Sequence, residues 1–174
     1  MNFLKIYLPI YLLLYLFIAF VWPGYRAFKR TGVGPVTFSR SGNAHDYIGF
    51  VMKLLVVLLF ITVLMFPLSE RMYHYLVPVG YLQIDFLQIA GLIIIHLSLL
   101  WICIAQFQTG NNWRIGIDKE NKTELVTKGI FSISRNPIFL GMIVSVLGIV
   151  LIIPNALTFF LCLLLISLYK FRYG

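Results

Sequence analysis

The chain has 174 residues, 60% of them hydrophobic and 11% charged, with a net charge of +8. Soluble domains are about one-quarter charged, so this composition excludes a water-soluble enzyme or binding module and points to the lipid bilayer. The basic residues lie beside hydrophobic runs and form no separate basic domain, which favours anionic headgroups over nucleic acid as what they meet.

In chain order, residues 3–21 form the first apolar run, and a bilayer core takes about 20 apolar helical residues. The run ends at Trp22, Pro23 and Gly24, an interfacial aromatic followed by an expected helix stop. It is longer than the roughly 7–15-residue core of a signal peptide and lacks an Ala-x-Ala site, which predicts a retained helix. Spans follow at residues 47–67 and 86–107, and then a polar stretch at 108–137. Two shorter runs, 138–153 and 156–169, are separated by Pro154 and Asn155. At 1.5 Å per residue each is about 21–24 Å long, which predicts a tight antiparallel hairpin rather than two independent spans. On its first arm Gly141, Ser145 and Gly148 offer a small-residue surface that another backbone can approach closely. The expected fold is therefore all-α, one integral membrane domain over residues 1–174 with about five transmembrane helices.

Lysine and arginine set the expected orientation. Loop one carries Arg26, Lys29, Arg30 and Arg40 against Asp46, whereas loop two holds Glu70, Arg71 and Asp85 with no positive excess. The polar stretch has Arg114, Lys119, Lys122, Lys128 and Arg135 against Asp118, Glu120 and Glu124, and Lys170 and Arg172 close the chain. A cytoplasmic loop one, polar stretch and C-terminus satisfy all of these biases. Cys103 and Cys162 lie inside apolar runs without metal-ligand spacing, so no zinc site or disulfide framework is expected. His96, alone within the third span, is expected to hydrogen-bond between helices rather than to catalyse.

Chemistry is expected in the polar stretch. It opens with Gly110-Asn111-Asn112-Trp113, continues through Leu125-Val126-Thr127-Lys128-Gly129-Ile130-Phe131 and ends with Arg135-Asn136-Pro137-Ile138-Phe139. Gly129 permits backbone conformations closed to other residues. Asn136 before Pro137 is a helix-capping pair. Arg135 at a helix N-terminus combines a planar donor fork with backbone donors, a plausible carboxylate socket. The order and spacing of these motifs resemble the isoprenylcysteine carboxyl methyltransferase family and its phospholipid methyltransferase relatives. In that family a Gly-Asn-x-Trp-like turn precedes Leu-Val-x-x-Gly-x-Tyr and then Arg-His-Pro-x-Tyr.

The resemblance implies an integral membrane methyltransferase that uses S-adenosyl-L-methionine on a lipid-like or isoprenylcysteine-like carboxylate, or on an amine. Carried over residue by residue, it implies that Glu124, Leu125, Val126, Gly129, Ile130, Phe131, Asn136, Pro137, Ile138 and Phe139 wall the cofactor. Arg135 and Arg172 would hold anionic groups. Asn136 stands where the family has histidine, and Phe131 and Phe139 stand where it has tyrosines. The family also carries a glutamate pair after the last helix, whereas residues 171–174 here read Phe171-Arg172-Tyr173-Gly174. The polar stretch leaves two other readings open: a related membrane reductase using NADPH on sterol or fatty-chain double bonds, and a non-catalytic family member. An expected partner in every case is the bilayer, and for the enzymes an amphiphilic or prenylated substrate.

Overall fold

The computed structural model describes residues 2–32, 36–37, 44–110, 115–116 and 127–173, and helix dominates them. The first helical stretch consists of α1 (Asn2–Leu16), a π-helical turn (Phe17–Val21) and α2 (Trp22–Thr31). Leu4, Leu8, Tyr11, Leu12, Tyr15 and Ala19 are buried, the three-and-four spacing of one helix face, while Phe3, Ile6, Ile10, Leu13 and Phe17 are exposed for lipid.

The expected stop at Pro23 does not occur. The helix continues through it to Thr31 and ends at Gly32, whose φ of 68° is left-handed. The reason is local and then tertiary. The π-turn makes room, with the Trp22 N–H reaching the Phe17 carbonyl. A proline at 23 withholds the N–H that an α-helix would send to the Ala19 carbonyl. Gln106 Nε2 donates to that carbonyl instead, at 2.7 Å. A proline whose freed polar group is re-satisfied by a neighbouring helix is tolerated in a membrane.

Helix α3 (Ala44–Leu68) and the short α4 (Glu70–His74) lead through a 3₁₀ turn (Gly80–Leu82) to α5 (Asp85–Thr109). Ser69 caps α4 by accepting from the Met72 N–H. On this side of the bundle Lys5 Nζ meets Glu70 Oε1 at 3.2 Å. The stretches Phe3–Arg30, Phe50–Leu68 and Asp85–Thr109 are long and apolar enough to cross a membrane. The shorter apolar helices are α6 (Pro137–Ile152) and α7 (Ala156–Tyr173), so the molecule is an all-α membrane bundle closed by a hairpin.

The hairpin is tight because Asn155 organises it. This residue is fully buried; its Oδ1 accepts from the Thr158 N–H at 3.0 Å and its Nδ2 donates to the Ile153 carbonyl at 2.8 Å. Loop two folds down onto the tip. The Val79 N–H donates to the Pro154 carbonyl at 2.9 Å, and the Ala156 N–H to the Leu76 carbonyl at 3.0 Å. Arms of about 24–27 Å are thus met by loop backbone rather than by lipid.

The first arm packs along α5. A Cβ on Gly148 would lie 2.6 Å from Ile95 Cγ2, one on Gly141 2.5 Å from Ile102 Cγ1, and one on Gly91 2.6 Å from the Gly148 carbonyl. The small residues of α6 therefore serve contact with α5, and Gly91 completes the seam from the other side. Ser98 and Ser145 hydroxyls meet across it at 2.6 Å, and Ser145 also reaches Tyr15 at 3.2 Å, tying three helices together. His96 bridges helices too. Because the Leu92 carbonyl only accepts, Nδ1 carries the proton at 2.7 Å, and Nε2 accepts from the Tyr7 hydroxyl at 2.6 Å.

Two-residue strands β1 (Val36–Thr37) and β2 (Ile115–Gly116) pair in parallel, which places loop one and the polar stretch on one face of the bundle.

Candidate functional site

Residues 127–136 of the polar stretch form a capped turn that leads into α6. Gly129 opens a 3₁₀ turn (Gly129–Ser132) at φ 67°, and a Cβ there would run into the Gln108 side-chain amide. That same amide accepts from the Ile130 N–H at 3.0 Å. Gly129 therefore serves both the left-handed backbone and the close approach of α5. Ile130 and Phe131 are half-buried.

At the other end Asn136 caps α6: its Oδ1 accepts from the Phe139 N–H at 3.0 Å. Ser134 Oγ accepts from the Asn136 N–H at 3.2 Å and meets the Tyr169 hydroxyl at 2.9 Å. Trp101 Nε1 donates to the Pro137 carbonyl at 2.9 Å. Phe139 is buried and stacks on Tyr169, ring centres 5.6 Å apart. Helix α5 and the last helix thus clamp the turn from two sides.

The cap leaves few backbone donors for a ligand. Pro137 has none, Phe139 is taken by Asn136, and the Leu140 N–H already donates to the Asn136 carbonyl. Among the described residues the Ile138 N–H is the donor of the first turn that remains. Arg135 beside it is exposed, and Lys128 and Lys170, at this same end, are exposed as well. The local field is positive, suited to an anionic group.

Seven of the ten residues expected to wall a cofactor, Gly129, Ile130, Phe131, Asn136, Pro137, Ile138 and Phe139, together with Arg135, fall within this turn and the first turn of α6. Glu124, Leu125 and Val126 lie outside the described residues. Arg172 belongs to the last turn of α7, and only its backbone is described. Sequence reasoning missed Gln108, Trp101, Ser134 and Tyr169, which position the turn. The signal available was weak: polar atoms near the ends of otherwise apolar helices.

Cavities among the described residues lie elsewhere. A small one of about 40 Å³ among Tyr11, Tyr15, Leu55, Leu59, Met142 and Ile149 is a packing gap in the bundle centre. A larger one of about 530 Å³ lies between the first helix and α5, lined by Phe17, Trp22, Arg26, Cys103, Gln106 and Phe107 among others. Arg135 and Asn136 line neither.

No curated protein and no solved structure matches the chain. The family described as phospholipid methyltransferase matches residues 86–173, half of the chain. That segment runs from the first turn of α5 to the end of α7 and contains the whole capped turn. The bundle, the closing hairpin and this match agree, and the chain belongs to the phospholipid methyltransferase family of membrane methyltransferases.

Proposed function

We propose that this protein transfers a methyl group from S-adenosyl-L-methionine to a lipid-like or isoprenylcysteine-like acceptor, with the polar stretch and C-terminus on the cytoplasmic side. The observation that carries the reading is the family match centred on a turn that two helices hold in place. The residues present fit the anionic end of such a cofactor: the Arg135 fork and the Ile138 N–H are available, and Lys128 adds to the positive field. Ile130 and Phe131 offer half-buried apolar surface beside them. Glu124, Leu125, Val126 and Arg172 complete the proposed wall. Asn136, Pro137 and Phe139 take part in the cap and the hairpin, so within the proposed wall they also fix the turn.

When bound, S-adenosylmethionine supplies a methyl group that leaves a cationic sulfur for an attacking oxygen or nitrogen in one in-line step. The chain orients the two reactants and excludes water around them. A carboxylate acceptor needs no proton removed. Among the described residues of the turn the charged side chains are Lys128 and Arg135, and an amine acceptor would need a base such as Glu124 of the proposed wall. A soluble donor at the mouth and an amphiphile among the helices would meet at the membrane boundary.

The test is titration of the detergent-solubilised protein with S-adenosylmethionine and with NADPH, followed by methyl transfer from labelled donor to a panel of carboxylates, amines and thiols. Donor binding with label on a carboxylate is expected. Binding of NADPH without S-adenosylmethionine would overturn the reading in favour of a reductase.

A further inference from the structure

The cavity of about 530 Å³ between the first helix and α5 is in the size range of ligand sites, about 300–1,000 Å³. It lies across α5 from the capped turn. Trp101, Ile102 and Gln108 face α6 and the turn, whereas Cys103, Gln106, Phe107 and Gly110 line the cavity. From Asn2 to Val21 the helical stretch covers about 30 Å, so Trp22 and Arg26 stand at headgroup level. Phe17, Ile18 and Cys103 sit about a turn deeper, among the acyl chains. The cavity therefore has a cationic mouth over an apolar floor. Arg26 is exposed, and among the described residues no carboxylate lies within ion-pair distance of it. Helix α2 also carries Lys29 and Arg30 and has no acidic residue.

We propose that this cavity binds one anionic phospholipid, phosphate on Arg26 and an acyl chain over Phe17, Ile18, Cys103 and Phe107, as a held lipid distinct from the methyl acceptor. The chemistry is complementary at both ends: a guanidinium for the phosphate and aromatic and aliphatic surface for the chain.

The experiment is native mass spectrometry of the whole protein in neutral detergent, given phosphatidylglycerol or phosphatidylcholine with identical acyl chains. One phosphatidylglycerol per chain is expected to be retained, preferred about five-fold over phosphatidylcholine, the scale of one basic contact at a membrane surface. Arg26→Gln should abolish the preference and Arg26→Lys should keep it. Cys103→Phe, which fills the floor and leaves every charge in place, should lower retention of both lipids. Equal retention of the two lipids by the wild type, or an unchanged preference in Arg26→Gln, would overturn the proposal. Full displacement by inorganic phosphate would overturn it as well, because a free anion rather than a lipid would then be the ligand. No methyl donor enters the assay, so its outcome is independent of that of the proposed activity.

Discussion

Arg135 and Gly129 illustrate two ways in which a single residue can matter to the turn. Arg135 has no structural duty among the described residues, so Arg135→Ala should leave the fold intact and weaken S-adenosylmethionine binding by about 1–3 kcal/mol, the scale of a charged hydrogen bond. Titration calorimetry checks it, and an unchanged affinity removes Arg135 from the site. Gly129→Ala should act on the fold: a left-handed Cβ costs about 1–2 kcal/mol before the clash with Gln108 is added. A lowered melting temperature in detergent is the expected result, and an unchanged one would show that neither the left-handed backbone nor the Gln108 contact constrains this position. Tyr73 is a third case. Its hydroxyl is buried without a hydrogen bond of good geometry among the described residues, and burial pushes its phenol above the ordinary 10.0 against a smaller opposing pull from the nearby Asn155 and Gln83 side chains. The unfolded phenol ionises near 10 while the folded one keeps its proton longer, so stability is flat below about pH 10 and falls above it. Tyr73→Phe should remove that contribution to the fall at no cost near neutrality, as pH-dependent thermal unfolding will show.

At the scale of elements, the α5–α6 seam is a close approach made possible by Gly91, Gly141 and Gly148. Gly148→Ala would drive a methyl against Ile95 and the Gly91 carbonyl, and about 1–3 kcal/mol of destabilisation is expected. Unchanged thermal unfolding would mean that the seam is loose. The small residues on α6 were legible in the sequence because their spacing marks one helix face. Their partner surface was not, since Gly91 looks like any glycine in an apolar span. The Asn136–Pro137 cap was legible for the same local reason. Gln108, Trp101 and Tyr169 were not, because their partners lie 22 to 36 residues away. Pro23 was misread as a terminator because its rescue comes from Gln106, 87 positions beyond the carbonyl that it serves.

For the whole molecule, the pairing of β1 with β2 ties loop one to the polar stretch. Single cysteines introduced as Arg30→Cys and Glu120→Cys, in a background lacking Cys103 and Cys162, should label from the same membrane face. Labelling from opposite faces would dismantle both that pairing and the cytoplasmic assignment proposed from the basic loops. The fold class could be read from composition and run length, since lipid leaves few architectures open. Which cavities the bundle contains could not, because their walls come from helices far apart in the chain.

The bond from Gln106 to Ala19 restricts how the bundle can move. A one-turn slip of the first helix along its neighbour would carry the carbonyl about 5.4 Å out of reach and leave it bare in hydrocarbon, at several kcal/mol. Sliding is thus disfavoured and hinging is not. Any widening of the space beside Pro23 must pivot about this amide, so whatever enters there does so past a swinging segment rather than a piston.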